Sequence, residues 1–160
     1  MRMTDELKKE FTLKISRANS TELIVILYEM ILVYIKEAGE FWETNNQEAY
    51  AQSLRKIRNC IGELMDSLNL DYEMARNMYS LYIFFLKEIV KAETKKEGFT
   101  YLKNIKPMIE SLRDAYSKVA LENKSGPLMQ NAQTVYAGLT YGRNDLNVNL
   151  EQLSNRGFRA

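Results

Sequence analysis

Histidine is absent from the 160 residues, and cysteine occurs once, at Cys60. Without histidine the chain loses the side chain most often used as a general base or metal ligand near neutral pH. A helical-bundle di-iron site needs two Glu-x-x-His pairs and cannot be built here. A single cysteine excludes the usual structural zinc sites and any intramolecular disulfide. A lone thiol suits a reducing compartment. With no imidazole to activate it, Cys60 is expected to be a small buried apolar residue. The seven glycines form no phosphate-cradling G-x-x-x-x-G-K-[ST] loop. A surplus of positive charge is missing too: 22 basic residues face 21 acidic ones, so little is available to hold a nucleic-acid backbone. Long apolar runs are also lacking. The strongest, Leu23 to Ile35, is interrupted by Glu29 and too short to span a bilayer, and Met1 to Glu10 has no signal-peptide core.

These absences lead us to expect a soluble cytosolic protein with no cofactor, no metal, no nucleic-acid partner, no membrane insertion and no catalytic role. Carboxylates remain (Glu22, Glu29, Glu37, Glu63, Asp66, Glu88 and Glu110), and their spacing alone leaves a catalytic pair as an alternative. Charged residues on helices are more often a solvated face. The basic cluster Arg55, Lys56, Arg58 reads the same way, because no stacking aromatics interleave with it.

What is present is helical periodicity. Hydrophobic residues make up 46% and charged residues 27%, a balance that supports one globular domain. Tyr50, Leu54, Ile57, Ile61, Leu64 and Leu68 step by four and three, predicting a helix over about 46–68. Leu102, Ile105, Ile109, Leu112, Tyr116 and Val119 predict another over about 100–123, with Pro107 bending it two turns in. Met74, Met78, Leu81, Phe85, Ile89 and Ala92 form the seam of a helix over about 71–95. The helix over about 20–43 is apolar on a wider arc and should lie centrally. Asn19 with Glu22 has capping-box spacing, and Thr44-Asn45-Asn46 and Asn69-Leu70-Asp71 can close one helix and cap the next. Leu7, Phe11 and Ile15 predict a short amphipathic helix ahead of these. The expected fold is all-α: an antiparallel four-helix bundle over 19–123, an N-terminal amphipathic segment over 1–18 and a poorly structured polar extension over 124–160.

Ten tyrosines and eight methionines make adaptable, amphipathic surfaces. Between Met74 and Phe85 the apolar residues occupy more of the helix circumference than one seam needs, so part should face outwards and bind another chain, helix in groove. Candidate groove residues are Leu23, Leu27, Tyr28 and Ile31 on the first bundle helix, with Met74, Met78, Tyr79 and Tyr82 on the third.

Several segments resemble the flagellar secretion chaperone FliS family. Ala18-Asn19-Ser20-Thr21-Glu22-Leu23-Ile24 followed by Leu27-Tyr28-Glu29 is similar to the family's Ala-Ser-Pro-Glu-Glu-Leu-Ile and Leu-Tyr-Asp. Ser67-Leu68-Asn69-Leu70, Ala75-Arg76-Asn77-Met78, Leu81-Tyr82 and Leu112-Arg113-Asp114-Ala115-Tyr116 resemble further family segments in the same order. The match spans about residues 15–120. Ser20 stands where the family has proline, Glu29 where it has aspartate, and Tyr116 where it has tryptophan.

The resemblance implies a cytoplasmic chaperone that binds the C-terminal segment of flagellin, blocks premature polymerisation and delivers the client to the flagellar export gate. It also implies that the N-terminal segment, here around Phe11 to Ile15, can lie over the client groove. The alternative is a non-catalytic helical-bundle adaptor or an oligomeric regulatory protein, a homodimer among the options. In the extension, Val135 to Gly142 is the stickiest patch. The tail, whose apolar residues are Tyr136, Leu139, Tyr141, Leu146, Val148, Leu150 and Leu153, is read either as a plain extension or as a segment that occupies the client groove of its own or a neighbouring bundle.

Overall fold

A computed structural model describes residues 3–124, and every element in that span is a helix. The order is α1 (Asp5–Arg17), α2 (Ser20–Glu43), α3 (Gln47–Asp66), α4 (Glu73–Thr94) and α5 (Phe99–Lys124). Asn19 caps α2 by accepting from the Glu22 amide at 2.9 Å, and Asn46 caps α3 by accepting from the Ala49 amide at 3.2 Å. Between α2 and α3 the chain reverses at Asn45, whose φ of 57° lies in the left-handed region that asparagine tolerates. The Asn69 side chain differs from its expected capping role. It accepts from the Asp71 amide at 3.2 Å within the connection, and α4 starts at Glu73 with Tyr72 at its N-cap and no side-chain capping bond. The α5 helix continues through Pro107, which removes one backbone donor from that turn.

Helices α2, α3, α4 and α5 pack in a ring, each against the next and α5 back onto α2, so that short connections give an up-down-up-down bundle. Contacts follow that sense. Tyr50 at the start of α3 donates to the Ala92 carbonyl near the end of α4 at 2.9 Å, and the Tyr28 and Tyr116 rings of α2 and α5 lie 6.0 Å apart. The α2 helix is central as its broad apolar arc requires, touching α1, α3 and α5. Gly39 on α2 permits a close approach there, because a Cβ would fall 2.7 Å from the Phe99 ring at the start of α5. Across the bundle, the hydroxyls of Tyr28 and Tyr82 hydrogen-bond to each other in the interior.

The extension over 125–160 and its Val135–Gly142 patch lie outside the described residues.

Candidate functional site

Helix α4 buries Ala75, Tyr82, Phe85, Ile89 and Ala92. The seam is turned slightly from the sequence reading: Phe85, Ile89 and Ala92 are buried as expected and Met78 and Leu81 pack against the core, but Met74 does not. Met74 is exposed, and Met78 and Leu81 are half-buried. Beside the seam runs a second apolar row of Tyr72, Tyr79, Ile83, Leu86 and Val90, stepping by seven, four, three and four. Those steps keep the row on one side of a helix. Tyr79 is 38% exposed and Val90 52%, while Ile83 and Leu86 are half-buried.

A further turn along this row stands Glu93, which accepts from Arg58 Nη1 of α3 at 2.6 Å. The row therefore lies on the α3 side of α4. Its counterpart on α3 is Arg58, Gly62 and Met65, spaced four and three and all half-buried. At Gly62 a built Cβ meets nothing within 4 Å, so open space lies above the α3 backbone. We read the strip between the two rows as an apolar groove, with the Arg58–Glu93 pair at one end. Gly62 adds no side chain to it, and Tyr72 and Tyr79 lie towards the start of α4, away from that pair.

A second surface lies under α1. In this helix and the residues before it, Met3, Phe11 and Ile15 are buried, Leu7 is half-buried, and the intervening positions are mostly charged. Lys14 pairs with Glu10 at 3.3 Å and reaches Glu29 of α2 at 4.0 Å. Beyond α1, towards the end of α5, opens a cavity of about 630 Å³ whose apolar wall is Val25, Ile26, Ala120 and Leu121, with Lys14 and Arg17 at its edge.

The eight sequence-predicted groove residues separate cleanly. Leu23, Leu27, Tyr28 and Ile31 of α2 and Tyr82 of α4 are 4% exposed or less and pack in the core. That face of α2 is covered in this structure, because α1, α3 and α5 all pack against the helix. Tyr79 joins the α3–α4 groove. Met74 is exposed at the start of α4, and Met78 is half-buried against the core, as is Leu81. Ile83, Leu86, Val90 and Gly62 were missed, although the 72-79-83-86-90 spacing signals a second stripe beside the core one.

Other expectations concern chemistry. Cys60 is buried, and burial pushes its thiol up to about 12, with Glu63 adding to the shift. Arg58 is engaged by Glu93, Lys56 lies 3.8 Å from Glu37, and Arg55 is exposed. Among the described residues no cluster of three or more His, Cys, Asp or Glu side chains could hold a metal ion, and no helix is long and apolar enough to cross a membrane.

A helical bundle that exposes an apolar groove on one side and covers another surface with its own N-terminal helix has the form of a protein-binding module. The family model described as flagellar protein FliS matches residues 3–123. The chain belongs to the FliS family. It is 27% identical over 104 residues to the flagellar secretion chaperone FliS of Bacillus subtilis strain 168, covering 65% of this chain and 77% of that one. The flagellar secretion chaperone FliS of Escherichia coli strain K12 is 22% identical over 108 residues, covering 65% and 78%.

Proposed function

We propose that the chain is a cytoplasmic secretion chaperone whose client is the C-terminal segment of flagellin, kept from premature polymerisation and handed to the flagellar export gate. Membership of the FliS family and the likeness to two flagellar secretion chaperones support this reading. The observation that carries it is the open α3–α4 groove. Tyr79, Ile83, Leu86 and Val90 present a row of apolar contacts at helical spacing, opposite a strip of α3 that Gly62 leaves unfilled. A client helix can place its own anchors there. A segment that folds as it binds can continue over further faces, including the α2 surface now held by α1. None of this requires a cofactor.

The test is titration with a C-terminal peptide of the cognate flagellin, followed by hydrogen exchange. Binding should protect α3 and α4 amides bordering the groove. Ile83→Asp should weaken binding at least about tenfold, as loss of a central apolar anchor does. A peptide that binds wild type and Ile83→Asp equally would remove the groove from the proposal. If no flagellin peptide binds but the chain self-associates through these rows, the homodimeric adaptor reading replaces the chaperone one.

A further inference from the structure

Glu37 lies near the end of α2, is only 6% exposed, and makes its contacts with two separate parts of the chain. Its Oε1 accepts from Ser53 Oγ at 3.1 Å and faces Lys56 Nζ at 3.8 Å, both on α3. Its Oε2 accepts from the backbone amide of Met3 at 3.0 Å, a buried contact 34 residues away in sequence. One oxygen is thus committed to the bundle and the other to the N-terminal segment.

We propose that Glu37 is a clasp that sets how often the N-terminal strap, Met3 to Arg17, lifts from the bundle. Ser53 and Lys56 hold the carboxylate in place whether or not the strap is docked, so Oε2 is a preformed acceptor aimed at the Met3 amide. Beyond this bond the strap is secured by the partly exposed Lys14–Glu29 pair at 4.0 Å, by half-buried Leu7 and by a few buried side chains. Only Met3, Phe11 and Ile15 are buried among its residues, and their burial must offset the ordering of the whole segment. Thr4 follows the clasped amide directly and caps α1 by accepting from the Leu7 amide at 3.2 Å. The clasp therefore fixes the point from which the helix starts. An amide bonded to a buried carboxylate is among the stronger single hydrogen bonds available, and on so small an interface it controls the open population. The consequence for client binding rests on the reading that the client uses the α2 surface under α1: a bundle whose strap opens more often would then bind with higher apparent affinity.

Native-state hydrogen exchange on the full chain without client tests the clasp. Glu37→Gln keeps the side-chain shape but removes the charge: its amide nitrogen can donate to Ser53 Oγ, and the Met3 amide is left with a neutral carbonyl acceptor, a bond roughly half as strong. Expected is exchange of α1 amides about tenfold faster or more, with α3, α4 and α5 amides unchanged. Met3→Pro removes the donor while leaving Glu37, Ser53 and Lys56 intact, and Met3→Ala controls for the lost side chain. Met3→Pro should speed α1 exchange well beyond Met3→Ala. Unchanged α1 exchange in Glu37→Gln, a rise matched across the whole bundle, or equal effects of the two Met3 variants would overturn the clasp. Client titration of the same Glu37→Gln protein separates the two ideas. Faster α1 exchange with unaltered flagellin-peptide affinity would uphold the clasp and reject the α2 surface as client-binding.

Discussion

Cys60, Tyr34 and Tyr50 hold their protons more tightly in the fold than in the open chain. Burial is the main cause at each. Glu63 adds to it at Cys60, Cys60 and then Glu37 at Tyr34, and Glu93 at Tyr50. The Cys60 thiol rises from 9.0 to about 12 and the Tyr50 phenol from 10.0 to about 12. Above pH 9 the unfolded chain sheds protons that the folded chain retains, so these groups stabilise the fold fully below that pH and progressively less up to about 12. Stability measured by denaturant titration should fall with rising pH through this window, and Cys60→Ala should flatten the slope. In the native state Cys60 should react with thiol reagents only as fast as the bundle opens, because the nucleophile is the thiolate. The hydroxyl pair in the core offers a second residue-scale prediction. Tyr28→Phe and Tyr82→Phe should each cost ~1 kcal/mol, and a double-mutant cycle should show that the two losses are coupled.

At the scale of the helix, glycine separates packing from propensity. Gly39 and Gly62 both lie inside helices, yet a Cβ at Gly39 would press on Phe99 while one at Gly62 would meet nothing. Gly62→Ala should raise stability by about 0.5–1 kcal/mol, the usual gain from replacing an unhindered helical glycine. Gly39→Ala should gain less or lose stability, according to how far the Phe99 ring yields. Thermal melts of the two variants check this directly. A larger, flexible side chain at position 62, as in Gly62→Gln, should leave the fold intact while obstructing the α3–α4 groove and weakening client binding.

Helix positions were largely legible in the sequence because periodicity and capping are local. The expected helix over about 20–43 is α2 as Ser20–Glu43, and the expected Asn19 cap is present. Burial of Cys60, Phe11 and Ile15 was legible for the same reason. The rotation of α4 was not. Its apolar residues surround more than half the helix, and only the placement of α3 and α5 decides that Ala75 faces inwards while Met74 does not. Of the groove residues read from the sequence, Tyr79 and Met74 are exposed and the α2 residues are buried, because a helix that is covered on three sides, like α2, has the same composition as one that lines a groove.

At the scale of the molecule, four helices form the scaffold and the fifth, α1, is an attachment. Its polar outer face, its few buried anchors and its tie to Glu37 set it apart from the ring of α2 to α5. Among the described residues the bundle carries a partly exposed apolar row on the α3 side of α4 and a surface covered by α1. A client segment rich in helical anchors would engage the first at once and the second by displacing α1. Calorimetric titration of the full chain with the C-terminal peptide of its cognate flagellin, repeated over a range of temperatures, tests this most directly. Expected is a one-to-one complex with a large negative heat-capacity change, the sign of apolar burial coupled to folding. A folded bundle that takes up no peptide, or binds it without a heat-capacity change, would contradict the chaperone reading.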